Sequence, residues 1–380
     1  MLKSKLTGFF CLTVLLLQVL LSSCGRRQTA AQEGGDTLSL RYSSLLTIVR
    51  HEGYTVVDVR NPWKEGRLLH TYVLVPRSQP VPDNLPHGSL IRTPIERSAV
   101  FTTVHCALLN TLGRVDKIVA VADLKYIKIP AIHQRVEQGL VADCGGGLNP
   151  VVEKIMDVKP DVIMLSPFEN SGGYGKIEDL DIPLVECAEY MENSPLARAE
   201  WMKFYGMLFG VEQQTDSLFA VVDSSYHALK QQAKAAGRGR SLLIDKMVGS
   251  VWYVPGGKST IGQMAQDAGG QYPWADDDHS GSLSLPFETV LEQAGDADVW
   301  FYRYSSDHTT NYQELLSGHR GYDQLKPFRM REVYACNVEQ TLFYEETPFR
   351  PDFLLSDFIR ILHPEATNLP PLRYYKKLDD

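Results

Sequence analysis

The side chains best suited to grip a ligand are aromatic and cluster late in the chain: Trp252-Tyr253, Tyr272, Trp274 and Tyr302-Arg303-Tyr304. Aromatic faces suit a large planar or conjugated ligand, and the Arg303 guanidinium can fork onto a carboxylate or an anionic chelate. About half of these rings are expected to fill the core instead. Earlier in the chain, Thr102, Thr103 and His105 follow one predicted strand and Lys125 and Tyr126 follow another, which makes them candidates for a facing surface. Asp276-Asp277-Asp278-His279 is the cluster richest in metal-ligating groups; it can hold a divalent cation or simply be a solvated acidic loop. Gly257-Lys258-Ser259 ends like a phosphate-binding loop, yet Trp252 stands where such a loop needs its first glycine, so a turn capped by Ser259 is the better reading. Gly145-Gly146-Gly147 is either a nest of amides for an anion or a tight turn. Neither a G-x-S-x-G elbow nor an H-E-x-x-H pair occurs among the ten histidines, so hydrolase and zincin chemistry lose their usual support.

Those groups need a folded frame, and the composition supplies one. The chain has 380 residues, 44% hydrophobic and 22% charged, the balance of a globular protein of about two domains. Thirty-eight Lys and Arg against 46 Asp and Glu give a net charge of −8, without the basic footprint of a nucleic-acid binder. Met1 to Cys24 reads as an export signal: Lys3 and Lys5, a long apolar run, then Leu21-Ser22-Ser23-Cys24. Of the other cysteines, Cys11 falls within that signal, while Cys106, Cys144, Cys187 and Cys336 form no C-x-x-C pair and receive no disulfide assignment.

The elements that must position the candidate groups follow an α/β rhythm. Residues 24–40, which follow the export signal, read as a flexible tether. Residues 54–59 and 69–75 predict an antiparallel hairpin added to a first lobe spanning 41–192. Strands are expected near 99–103, 117–122, 161–165 and 183–187, with Asn149-Pro150 starting a short helix. A helical linker over 193–237, containing a long helix from Glu212 to Ala236, leads to a second lobe at 238–380. There, strands at 241–244, 251–254, 298–302 and 332–336 alternate with helices, the last near 351–362. The fold class is therefore α/β, two Rossmann-like lobes with mostly parallel sheets joined by one long helix. Both lobes carry a similar module, a short helix with an acidic residue running into a strand, with Glu153 in one and Glu288 in the other.

At this point the residues resemble a known family, the periplasmic binding proteins for ferric siderophores, haem and cobalamin, whose fold is the class III type. Asn149-Pro150-Val151-Val152-Glu153-Lys154-Ile155 with Lys159-Pro160-Asp161-Val162-Ile163 is similar to the family's N-x-E-x-I and K-P-D-x-V module. Thr111-Leu112-Gly113, Asp116 to Val121, and Tyr253 to Ser259 through Ala268-Gly269-Gly270 match further positions. Ala107 stands where the family often has an acidic residue, and the hairpin is an addition. Leu21-Ser22-Ser23-Cys24 resembles the lipobox of bacterial lipoproteins, which makes Cys24 the lipidated residue, and residues 190–201 look like the lipoprotein branch of Bacteroidetes-type bacteria.

The resemblance implies a solute-binding component of an ABC importer, lipid-anchored to the cell envelope and periplasmic, acting as a monomer without a resident cofactor and without enzymatic activity. It implies an iron complex, siderophore or haem, held between the lobes by Thr103, His105, Tyr126, Trp252, Tyr253, Trp274, Arg303 and Tyr304. It also implies docking of Glu153 and Glu288 onto arginines of the transmembrane permease. A corrinoid receptor of the same fold is the alternative. An envelope metal chelatase or metal-dependent hydrolase using Asp276, Asp278 and His279 is the rival from another class. A direct metal-ion receptor fits less well, because histidines and carboxylates are sparsely spaced.

Overall fold

The computed structural model describes residues 34–169, 173–366 and 368–379, so the expected signal peptide and Cys24 lie outside the described residues. Strands β1 (Leu46–His51), β2 (Tyr54–Arg60), β3 (Leu68–Pro76) and β4 (Ser89–Thr93) pair in that order. The β2–β3 pair is the antiparallel hairpin, and β4 runs parallel to β3. Ile48, Val57, Val59, Tyr72 and Ile91 are buried in the main core, so this added sheet packs as part of the body.

The first lobe is a five-stranded parallel sheet. Its strands are β5 (Ser98–Val100), β6 (Ile118–Val121), β7 (Ala142–Asp143), β8 (Val162–Leu165) and β9 (Leu184–Glu186), in the order β9-β8-β5-β6-β7. The runs Ile-Val-Ala-Val and Val-Ile-Met-Leu are buried at every position, as a parallel sheet covered on both faces requires. Helices α1 (Thr103–Thr111), α2 (Pro130–Glu137) and α3 (Val152–Val158) connect these strands. Asn149 does not cap α3: the cap position is Val151, whose amide donates to Cys144 O at 2.8 Å, so the helix starts two residues past the proline.

Three helices then cross over, α4 (Pro195–Glu200), α5 (Met202–Phe209) and α6 (Glu212–Ala236). Ser194 caps α4 by accepting from the Ala197 amide at 3.1 Å. At 25 residues, α6 is about 37 Å long. Its buried residues Thr215, Phe219, Val222 and Tyr226 recur every three to four positions, one stripe against the body. Where α5 meets α6 the contact is close enough that a Cβ on Gly206 would fall 2.1 Å from Thr215 Oγ1, so only glycine fits.

The second lobe has a main sheet of β10 (Leu242–Ile244), β14 (Val299–Tyr304), β15 (Val333–Asn337) and β16 (Lys376–Lys377), the last antiparallel. The strand expected at 251–254 does not join it. β11 (Met247–Val248), β12 (Val251–Pro255) and β13 (Ser282–Leu285) form a separate antiparallel sheet, because the turn at Gly249, with φ of 61°, folds the chain back at once. Helices α7 (Thr260–Asp267), α8 (Phe287–Ala294), α9 (Tyr312–Gly318), α10 (Lys326–Arg329), α11 (Phe343–Glu346) and α12 (Pro351–Leu362) complete the lobe. α12 packs on α6, and Arg50 of β1 pairs with Glu212 at the start of α6 at 2.7 Å, so the long helix touches elements of both halves.

The expected tether ends sooner than residue 40. Leu38 N donates to Ile48 O at 2.9 Å. The amides of Arg41, Tyr42 and Ser43 then donate to the buried Glu200 carboxylate at 2.8–3.0 Å. Glu192, also buried, accepts from Ser43, Ser44, Leu45 and the Trp201 indole. Two buried carboxylates, Glu192 just before the crossover and Glu200 within it, thus bolt down the segment that follows the tether.

Candidate functional site

Strand-end loops of the two parallel sheets are where an α/β protein of this build holds ligands, and here they meet. Lys128, just before α2 of the first lobe, reaches into the 338–341 loop that follows β15. Its ammonium donates to Val338 O and to Thr341 O, the latter at 2.8 Å, and lies 3.8 Å from Glu345 Oε1. Thr103 Oγ1 donates to the same carboxylate at 3.3 Å. Glu345 is 4% exposed, and its Oε2 has no hydrogen-bond partner. Together these groups form a clasp between the lobes.

Beside the clasp lies a cavity of about 120 Å³ lined by Val104, Arg198, Met264, Arg303, Phe343 and Tyr344, with contributions from both halves and the crossover. That volume is well below the ~300–1,000 Å³ of ordinary small-molecule sites. Arg303 is already engaged. It donates bidentately to Asp245 at 3.0 and 2.6 Å and lies over the Phe343 ring. Burial works against its charge, but the paired carboxylate outweighs that and holds its pKa above the usual arginine value. It lines the cavity while paired to Asp245, so it is a shared partner and not a free fork. Arg198 had no signal in the sequence beyond its type. It lines the same cavity, and its buried Nε has no hydrogen-bond partner. Burial lowers its pKa, with Glu189 opposing.

The structure separates the expected ligand residues. Trp252 belongs to the core: it is fully buried against Trp300, Phe287 and Tyr322, with its indole N–H on Ile244 O at 2.9 Å. The period of two along β12 sends Tyr253 the other way, and it is 43% exposed. Trp274 is also packed away, against Tyr272 and with its N–H on Gln293 Oε1 at 2.7 Å. His105 is buried too, because α1 turns it inward. Its Nε2 lies 3.5 Å from Glu189 Oε2, its Nδ1 contacts Thr102 Oγ1, and Tyr205 and Phe349 meet its ring edge-on. Neither Trp274 nor His105 lines the cavity. Tyr126 stands 60% exposed on the turn after β6, with the Lys125 ammonium 4.6 Å over its ring. Tyr304 accepts from Thr310 N at 3.3 Å at the end of β14. Phe168 and Tyr344, which the sequence reading did not single out, are exposed aromatics just after β8 and within α11. The strand-end rule applied to Ser166-Pro167-Phe168 would have found the first.

The weaker motifs resolve into structure. Gly147 N donates to Asp123 Oδ2 and Gly145 N to Asp143 Oδ1, both at 2.9 Å, so two of these amides serve a turn. Ser259 caps α7, accepting from Gly262 N at 3.0 Å. In the acidic loop Asp277 accepts from His279 N at 2.9 Å and Asp278 pairs with Lys258 at 2.6 Å. Among the described residues no group of three or more His, Cys, Asp or Glu side chains is placed to hold a metal ion. Cys106, Cys144, Cys187 and Cys336 are free and buried.

Glu153 and Glu288 occupy matching places. Each is the second residue of its helix, α3 or α8, each is exposed, and each helix leads into an inner strand, β8 or β14. No helix among the described residues is long and apolar enough to cross a membrane.

Residues 99–338 match the family model described as periplasmic binding protein. An uncharacterised lipoprotein of Methanocaldococcus jannaschii is 26% identical over 87% of this chain and 83% of its own length. Among solved structures, a periplasmic haem-binding protein from Pseudomonas aeruginosa superposes with a TM-score of 0.58 at 13% identity, covering 75% of this chain and 99% of that one. An ABC-type Fe3+-hydroxamate transport protein from Saccharomonospora viridis gives 0.54 at 19% identity, over 70% and 93%. A periplasmic vitamin B12 binding protein of Vibrio cholerae gives 0.51 at 17% identity, over 72% and 99%. With two α/β lobes joined by one long helix and a family match across more than half its length, this chain belongs to the periplasmic binding protein family.

Proposed function

We propose that this protein is the solute-binding component of an ABC importer that takes an iron complex, siderophore or haem, between its lobes and hands it to a permease. One observation carries the reading. Tyr126 and Phe168 on the first lobe and Tyr253 and Tyr344 on the second are exposed aromatic side chains, available to a large conjugated ligand, and Tyr344 lines the cavity beside the clasp. Solved relatives of the same fold are named for a hydroxamate iron complex, haem and vitamin B12, so a corrinoid is the alternative cargo. The cavity of about 120 Å³ is too small for such a ligand, so uptake requires the lobes to part at the Lys128–Glu345 clasp. α6, packed along the body, keeps that motion modest.

Lipidation of Cys24 would hold the protein at the envelope membrane, where a permease is accessible. Glu153 and Glu288 serve as the docking charges. Isolated surface ion pairs contribute little affinity, but two charges held by the fold set register and association rate. Replacing both by glutamine is expected to abolish import of the cargo while leaving its affinity for the purified protein unchanged. Import at the wild-type rate in that double variant removes the docking claim.

A further inference from the structure

A second pocket, of about 330 Å³, lies within the second lobe at the carboxyl ends of β10 and β14. Lys246, two residues past β10, and Tyr302 and Tyr304, at the end of β14, line it together with Ser306, His308 and Tyr322. It shares no lining residue with the cavity beside the clasp, because successive residues of β14 point to opposite faces: Arg303 to one, Tyr302 and Tyr304 to the other.

Its hydrogen-bond inventory is unbalanced. Tyr302 is only 1% exposed, and its hydroxyl meets the Thr310 side chain too loosely for a full hydrogen bond. Lys246 makes no ion pair among the described residues; its ammonium lies 5.5 Å from the centre of the Tyr302 ring, and burial lowers its pKa. The neighbouring groups are satisfied. Tyr304 accepts from Thr310 N, Tyr322 accepts from Met247 N, and Ser306 meets His308 Nδ1 at 3.0 Å. The two acidic side chains nearby, Asp307 and Glu314, are both taken up by His308, at 2.8 and 3.2 Å. The ammonium and the buried hydroxyl therefore share one pocket in which neither is bonded to the Glu314 carboxylate that also lines it, and a buried hydroxyl costs stability unless something accepts from it.

We infer that this pocket binds an oxyanion, a carboxylate or phosphate group, through Lys246 and Tyr302, with the tyrosine rings as the walls for its apolar part. The inference does not depend on the transport reading, since a chain that carried no chelate would still have this donor pair. The oxyanion has two sources, a free small acid or an acidic arm of the transported complex.

The test is equilibrium titration of the protein with benzoate and with inorganic phosphate, followed by calorimetry. Saturable millimolar or tighter binding of at least one probe is expected, weakened about tenfold or more in Lys246→Met and in Tyr302→Phe, since each removes a hydrogen bond to a charged group. Lys258→Met, which alters an exposed lysine outside the pocket, should bind as wild type. Lys246→Gln replaces Lys246→Met if the latter fails to fold. Competition with ferric citrate separates the sources: displacement of the bound probe identifies an arm of the complex, and coexistence identifies a separate acid. Absence of saturable binding by both probes, or binding that all pocket variants leave unchanged, overturns the inference.

Discussion

Replacing Lys128 by methionine should loosen the clasp between the lobes, and the cost can be worked from its contacts. The ammonium donates to two carbonyls, Val338 O and Thr341 O, and faces Glu345 at 3.8 Å. A hydrogen bond to a charged group contributes about 1.5–3 kcal/mol, and partial exposure of Lys128 argues for the lower end of that range. The larger effect falls on Glu345, which is left buried with one oxygen unpartnered and no counter-charge. Stranding one member of a buried pair costs about 3–5 kcal/mol. Because Thr103 still donates to that carboxylate, we expect a loss of about 3 kcal/mol for Lys128→Met, measured by urea unfolding. The double variant Lys128→Met, Glu345→Gln should recover about 1–2 kcal/mol of it, since a neutral amide no longer strands a charge. A single-variant loss below about 0.5 kcal/mol, the range of a solvated pair, would refute the reasoning, as would a double variant with no recovery.

Three further outcomes follow from the same contacts. Burial disfavours the charge on His105, but Cys187 and Glu189 outweigh it and raise the imidazole to about 10, well above its unfolded value of about 6.5. A group raised on folding stabilises fully below its unfolded pKa and loses that contribution as pH rises toward the folded one, so the stability gap between wild type and His105→Gln should shrink between pH 6.5 and 10; a gap that widens contradicts the assignment. Glu200→Gln should free the 41–43 segment, whose three amides it binds, and proteolysis near Arg41 should accelerate while the second lobe stays protected. Tyr126→Ala and Tyr253→Ala should each weaken cargo binding about fivefold or more by removing an exposed aromatic face, whereas Trp252→Phe should alter stability and not affinity.

Much of the fold could be read from periodicity. The unbroken apolar runs at 118–121 and 162–165 signal buried parallel strands, and the 212–236 helix follows from its spacing and the Gly237 stop. What failed to show was set by tertiary context. Val251 to Val254 has the composition of a main-sheet strand, but the turn at Gly249 commits it to a small antiparallel sheet. The site was less legible for the same reason. Trp252 and Tyr253 are adjacent aromatics of similar promise, and only the pleat of β12 decides that one is core and the other surface. Lys128 and Glu345 lie 217 positions apart, so no local pattern could pair them, and Arg303 gave no sign that Asp245 already holds it.

The most direct test of the account is a titration of the soluble chain beginning after Cys24 with haem, a cobalamin and several ferric siderophores, read by tryptophan fluorescence. The account predicts saturable one-to-one binding of one iron complex, weakened by Tyr126→Ala and Tyr253→Ala. Binding of cobalamin alone would move the cargo to the corrinoid alternative, and silence toward every ligand would contradict the central claim.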